Sequence, residues 1–303
     1  MSDTTPTWDP GQYLRHAGHR ARPFVDLLAR VPEPPTPAGR PLRIADLGCG
    51  PGNVTRLLAE RWPTAHITGL DSSAEMLRAA RRDHAGRTPG GGRLDFVHAD
   101  LRTWVPPAEE PYDLLISNAA LHWVPEHAAA FPAWVDGLVA GGALAFQVPG
   151  NFGAPSHVLM RELAGSERWA RRLGGVLRHR DAVLEPADYL HRLTALGCSA
   201  DVWETTYLHL LAGVDPVLDW VKGTGLRPVL TALADDPAAT ESFLAEYREL
   251  LRAAYPRTEH GTVLPFRRIF AVATKPRQAR PDSSGPPGTG LRATAAGKEG
   301  ASA

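Results

Sequence analysis

The 303-residue chain is 43% hydrophobic and 22% charged, and its 33 basic residues balance 33 acidic ones. That length has room for one large domain or for one domain plus a modest insertion, and the neutral balance excludes a global field drawing it to nucleic acid or an anionic membrane. Two cysteines, Cys49 and Cys198, make neither a disulfide framework nor a Cys-x-x-Cys metal site, the N-terminus shows no basic stretch followed by an apolar run, and nowhere do eighteen apolar residues occur together. The expectation is a cytoplasmic protein with no metal, no nucleic acid and no membrane partner, monomeric or weakly self-associating. Only Lys222, Lys275 and Lys298 are lysines, so arginine carries the cationic chemistry and favours planar carboxylate partners.

In chain order, residues 1–40 read as an N-terminal helical lid segment. From Leu42 short apolar runs alternate with helical patterns, the mark of βαβ units and a parallel sheet. Leu42 to Leu47 is a first strand, followed by a glycine turn and a helix from Val54 to Trp62. Ala65 to Leu70 is a second strand closing on Asp71, and Ser72-Ser73-Ala74-Glu75 starts the next helix with a hydroxyl cap. Further strands run from Arg93 to Ala99, Tyr112 to Ser117 and Gly142 to Val148, so residues 41–150 form a ligand-binding core. Residues 151–275 hold the remaining strands, and the stretch to about Glu185 reads as rich in loops. A helix from Pro186 to Leu196 and a strand from Asp201 to Leu208 follow. Helices Pro216 to Lys222 and Pro237 to Tyr255 make residues 213–262 a cap insertion before a last strand, Pro265 to Ala273. The tail 276–303, rich in Pro, Gly, Ser and Ala, is expected to be disordered.

The predicted fold is a doubly wound, mostly parallel seven-stranded α/β sheet, Rossmann-like, with a helical cap. In such a sheet ligands bind at the carboxyl edge of the strands. There Asp46-Leu47-Gly48-Cys49-Gly50-Pro51-Gly52-Asn53 turns a strand into a helix, with three glycines where a ligand lies against backbone. A nucleotide-hydrolase loop is excluded, because no lysine precedes position 222. The dinucleotide fingerprint is disfavoured, because Thr55 stands where its third glycine belongs. The Gly-x-Gly-x-Gly spacing instead resembles the first motif of class I methyltransferases, whose methyl donor is S-adenosylmethionine. Asp71, ending the second strand, suits the ribose hydroxyls of adenosine, and that resemblance implies that Asp100, ending the third, lies beside the adenine amino group.

The chain also resembles the trans-aconitate 2-methyltransferases, from Trp8 to about Val272. The motifs include Trp8-Asp9-Pro10, Tyr13-Leu14, Arg22-Pro23, Gly69-Leu70-Asp71-Ser72-Ser73, Asn118-Ala119-Ala120-Leu121-His122-Trp123 and Pro155-Ser156-His157. They continue in Asp201-Val202-Trp203-Glu204-Thr205-Thr206-Tyr207, Asp219-Trp220-Val221, Thr224-Gly225-Leu226-Arg227-Pro228 and Pro265-Phe266-Arg267-Arg268. The resemblance implies methyl esterification of a carboxylate of trans-aconitate, giving a monomethyl ester and S-adenosylhomocysteine. Another small acid or an amine as acceptor, and a non-catalytic cofactor-binding protein, are the alternatives.

The cofactor set expected from these readings is Asp46, Gly48, Gly50, Gly52, Asp71, Ser72, Asp100, Leu101, Asn118 and Tyr13. A carboxylate nucleophile is already ionised at neutral pH, so no acid or base is required and catalysis reduces to positioning, assigned to Trp123 and His122. The polycarboxylate substrate is expected to meet Arg227, Arg267, Arg268, Trp220, Tyr207 and Trp8. Neighbours on a strand point to opposite faces, so one of Arg267 and Arg268 reaches the pocket, with either open.

Overall fold

The computed structural model describes residues 17–35, 39–177 and 182–277, with 17–20 as backbone only. Trp8, Tyr13 and the tail beyond residue 277 lie outside the described residues.

Strands β1 (Arg43–Leu47), β2 (His66–Asp71), β4 (Arg93–His98), β5 (Tyr112–Asn118) and β6 (Leu138–Pro149) pair in parallel in the order β4-β2-β1-β5-β6. Their apolar runs are buried on both faces, as parallel strands require. Two long antiparallel strands, β9 (Gly261–Thr274) and β7 (Ser199–Leu211), extend the sheet beyond β6. These are the seven long strands expected. Two two-residue additions, β3 (Gly86–Arg87) on β4 and β8 (Arg257–Thr258) on β9, bring the sheet to nine strands among the described residues. The sequence does not announce them, because two residues are too few to show an alternation.

Helices α1 (Ala17–Arg30), α2 (Thr55–Arg61) and α3 (Ala74–His84) cover one face through Phe24, Leu27, Leu58 and Leu77. Helices α4 (Phe131–Asp136) and α7 (Pro186–Ala195) cover the other through Phe131, Trp134, Tyr189 and Leu193. Alternation along the strands then sorts side chains by face. Ile44, Leu114, Ile116, Ala145, Phe270 and Val272 pack under α1, whereas Ala45, Leu115, Leu144, Phe146, Ile269 and Ala271 pack under α4 and α7.

The stretch before Glu185, expected to be loops, contains helices α5 (Pro155–Ala164) and α6 (Ala170–Leu173). Pro155 at the first helical position presets the backbone. Met160, Leu163, Ala164 and Leu173 then face inward and are buried. Their partners are α8 (Pro216–Lys222), α9 (Arg227–Ala232) and α10 (Pro237–Ala254), which supply Trp220, Val229, Phe243 and Tyr247 to the same cluster. The cap is therefore assembled from two separate stretches of sequence. Tyr247 Oη donates to the Ser156 carbonyl at 2.6 Å, and Tyr255 Oη accepts from Ser156 N at 3.0 Å, so two tyrosines clamp the first turn of α5. Leu264 and Phe266 on β9 belong to the cap cluster, while Phe270 and Val272 on the same strand belong to the sheet core.

Candidate functional site: a glycine-lined cavity at the carboxyl edge

The turn after β1 is shaped by three glycines in the left-handed region. At Gly48 (φ +78°) a β-carbon would stand 2.2 Å from that of Ala120, so the loops after β1 and β5 touch there and no side chain fits. At Gly50 (φ +56°) a β-carbon would meet no atom within 4 Å, because the turn is open to a cavity. Gly48 N and Cys49 N both donate to the Leu70 carbonyl (2.7 and 2.9 Å), which holds the turn against the end of β2. The Asp71 carboxylate then spans two loops, accepting from Gly50 N at 2.8 Å through Oδ2 and from Ser73 N at 2.8 Å through Oδ1. The Ser73 hydroxyl caps α3 by accepting from Met76 N.

The cavity has a volume of about 310 Å³ and is lined by Gly48, Gly50, Asp71, Ser72, Asp100, Leu101, Asn118 and Trp123, among others. Thus eight residues singled out from the sequence converge on one space. Gly52 and Asp46 stand behind it. At Gly52 (φ +81°) a β-carbon would stand 2.8 Å from the Phe96 ring, and Asp46 is wholly buried, accepting from Thr55 Oγ1 at 2.6 Å through Oδ2, with no partner on Oδ1 among the described residues. Burial pushes the Asp46 carboxyl up to about 7, against the lowering bond from Thr55 and reinforced by Asp71. Burial also raises Asp71, although its backbone N–H donors oppose that shift. Asp100 behaves oppositely: the Arg102 guanidinium forks it through Nε (2.9 Å) and Nη2 (2.6 Å) and holds its carboxyl below the usual range. Sequence reasoning missed Arg102, whose signal was a cation two residues past a strand-end acid.

Beside this cavity, the short 3₁₀ turn Leu121–Trp123 presents His122, which is buried. Its ring lies 5.2 Å from Trp123 and 6.2 Å from Phe152, centroid to centroid, and Phe152 lies 5.5 Å edge-on from His157. His157 in turn backs onto Gly225, two residues before the half-buried Arg227 at the head of α9. A continuous aromatic path therefore joins the cavity wall to the cap turn that carries Arg227.

The two neighbouring arginines of β9 part company. Arg268 is 7% exposed and turns to the face that carries Asp46 and Asn118; its Nη1 donates to Gln147 Oε1 at 3.1 Å, and its guanidinium lies 4.6 Å over the Phe266 ring. Gln147 Nε2 donates on to Asn118 Oδ1 at 2.5 Å. Arg267 points the other way, with Nη2 2.6 Å from Glu185 and Nε 2.9 Å from Glu204. Two carboxylates hold Arg267 on the face opposite Arg268 and raise its pKa, so the two arginines face apart as strand alternation requires. The Tyr207 hydroxyl donates to Asp26 at 2.6 Å while Arg22 sits 5.1 Å over its ring, tying α1 to β7. Trp220 is 1% exposed in the cap cluster and stacks on His209 at 4.8 Å. Gln147 went unnoticed in the sequence. Its signal was one polar residue inside the otherwise apolar run Ala143-Leu144-Ala145-Phe146-Gln147-Val148.

Against known proteins, residues 44–142 match the family model described as a methyltransferase domain. The chain is 70% identical to the trans-aconitate 2-methyltransferase of Streptomyces avermitilis over 91% of this chain and 99% of that one. It is 68% identical to the Streptomyces coelicolor enzyme of the same name, over 91% and 89% of the two chains. The chain belongs to the trans-aconitate 2-methyltransferase family. A family member from Mycolicibacterium gilvum is 48% identical over 88% of this chain and 98% of its own. In fold, the chain is similar to the YcgJ protein of Bacillus subtilis, with a TM-score of 0.51, 12% identity and coverage of 86% and 99%.

The cofactor of this family of methyltransferases is S-adenosylmethionine, and the cavity fits it. Its volume lies in the range of small-molecule sites. Each oxygen of Asp71 retains a lone pair beyond its backbone donor, available to ribose hydroxyls. The open side of Gly50 leaves room for the ligand against backbone. Among the described residues no group of three His, Cys, Asp or Glu side chains is arranged to hold a metal, and no helix is long and apolar enough to cross a membrane.

Proposed function

We propose that this protein esterifies one carboxylate of trans-aconitate with the methyl group of S-adenosylmethionine, releasing a monomethyl ester and S-adenosylhomocysteine. The observation that carries the reading is high identity to trans-aconitate 2-methyltransferases over nine-tenths of the chain, with the cavity-lining residues and the cap both inside the matched length.

When bound, S-adenosylmethionine supplies a methyl group made electrophilic by the attached sulfonium. Asp71 takes the ribose hydroxyls and Asp100 the adenine amino group, while the turn Gly48–Gly52 leaves its backbone open to the rest of the cofactor. The substrate carboxyl, with a pKa of roughly 4, arrives ionised, so no residue has to remove a proton. What the protein contributes is orientation and the exclusion of water. Trp123, on the cavity wall, and His122, buried behind it, form the partition between cofactor and cap. Arg227 from the cap and Arg268 from β9 receive the carboxylates that do not react, as donor-only groups suited to fork them. The substrate is a small molecule, the chain acts as a monomer or weak homo-oligomer, and the setting is the cytoplasm.

The test is turnover of purified protein with methyl-labelled cofactor against a panel of di- and tricarboxylates. A labelled, base-labile ester forming fastest with trans-aconitate is expected. Turnover on an amine or on another acid in its place would overturn the substrate, and cofactor binding with no turnover would overturn the enzyme.

A further inference from the structure

Arginine is donor-only, and that fixes the direction of a buried hydrogen-bond chain. Arg268 Nη1 can only donate, so the Gln147 atom 3.1 Å away must be its carbonyl oxygen. The Gln147 amide nitrogen is thereby turned to Asn118, which must answer with its own carbonyl oxygen at 2.5 Å. Asn118 is then left with its Nδ2 donor pointing away from Gln147, and Asn118 lines the cavity at the last position of β5, five residues before Trp123. Nδ2 has no protein partner among the described residues. The register supports the same path: Asn118 pairs with Gln147 across β5 and β6, and Arg268 pairs with Pro149, two residues further along β6. All three side chains share the α1 face of the sheet.

We infer that Arg268 and Gln147 act as positioning residues that lock the Asn118 amide with its N–H toward the cavity, so that the site offers a donor to a carboxylate oxygen and rejects an amine nucleophile. This deepens the proposed function, rests on its carboxylate substrate, and moves Asn118 from the cofactor set to the substrate side of the cavity it lines. A carboxylate is acceptor-only, and it gains a charge-assisted hydrogen bond from Nδ2. An amine brings N–H groups of its own and meets a donor where it needs an acceptor, and an unmet buried donor is costly. A single polarity, set at Arg268, therefore selects the class of nucleophile.

Two variants of similar size separate this from a merely structural role. The carboxylate introduced by Gln147→Glu still accepts from Arg268 but cannot donate to Asn118, so Asn118 rotates and shows its oxygen to the cavity. Gln147→Met removes both bonds and leaves Asn118 to take either orientation. The measurements are KM for trans-aconitate, the dissociation constant for S-adenosylhomocysteine, and the thermal midpoint of each protein. The locked-amide reading expects KM to rise in the order wild type, Gln147→Met, Gln147→Glu. The last step exceeds about tenfold, equivalent to about 1.4 kcal/mol, while cofactor-product affinity stays within about threefold. A structural role predicts the reverse order, because the bond between Arg268 and residue 147 persists in Gln147→Glu and is lost in Gln147→Met. That reversal, or a parallel loss of cofactor-product affinity, overturns the inference. If Gln147→Met fails to fold, Asn118→Leu replaces it, which removes the Asn118 donor without adding a charge; an unchanged KM there also overturns the inference. Absence of ester formation by the wild-type protein marks failure of the carboxylate reading itself, and is separate from any order among the variants.

Discussion

At the scale of single residues, the cofactor turn is specified by what cannot be present. Gly48→Ala would set a β-carbon 2.2 Å from that of Ala120 and place a non-glycine residue at φ +78°. A loss of at least about 2 kcal/mol, read by denaturant unfolding, is expected, with weaker cofactor binding. Asp71→Ala removes the carboxylate that accepts from both Gly50 and Ser73, and its dissociation constant for S-adenosylhomocysteine should rise by more than about tenfold, since each bond to a charged acceptor contributes about 1.5–3 kcal/mol. Isothermal titration checks it, and intact binding would remove Asp71 from the site. Asp46 makes a pH prediction. Its carboxyl is held up to about 7 in the folded chain, against the ordinary 3.8. The folded state therefore binds the proton more tightly than the unfolded state. The resulting stabilisation is complete below about pH 4 and disappears as pH rises through about 7. Thermal midpoints measured from pH 4 to 8 should show this fall in the wild type and lack that component in Asp46→Asn. Equal slopes for the two proteins would place the buried proton elsewhere.

At the scale of elements, the sequence was most readable where a single period persisted. Strands β1 and β2 are each followed by a helix, α2 and α3, and Ser73 does cap α3, whereas β4 runs on to β5 with no helix between them. The polar strand ends Asp71 and Asn118 and the near-end Asp100 were legible because the carboxyl edge of a parallel sheet is where ligand-facing polar groups gather. Helix α5 was not, although Met160, Leu163 and Ala164 have helical spacing. Its inward stripe is completed only by Phe243 and Tyr247 from eighty residues further on, and that partnership has no local trace in the sequence. The substrate-side residues divided for a related reason. Strand alternation shows that Arg267 and Arg268 face apart, but the carboxylates that capture Arg267 come from α7's edge and β7, and Tyr207 meets Asp26 across 181 positions. The clamp on α5 gives a prediction at this scale. Tyr247→Phe deletes the bond to the Ser156 carbonyl, and should lower stability by about 1 kcal/mol. Hydrogen exchange should quicken in residues 155–164 while β1 and β2 keep their protection.

At the scale of the whole molecule, the cap is not a separate body resting on the sheet. β9 carries Leu264 and Phe266 into the cap cluster and, four residues later, Phe270 into the core under α1. The two regions should therefore melt together: tryptophan fluorescence and far-ultraviolet circular dichroism should give coincident unfolding curves, and two resolved midpoints would show an independent cap. The same assembly limits how this scaffold accepts new parts. A graft replacing only residues 213–262 would lay foreign helices against Met160, Trp169 and Leu173, which were shaped for Phe243 and Trp220. Specificity in this architecture is thus exchanged as a discontinuous pair of segments, 155–177 with 213–262, and a chimera built from that pair should fold where the single-segment chimera precipitates.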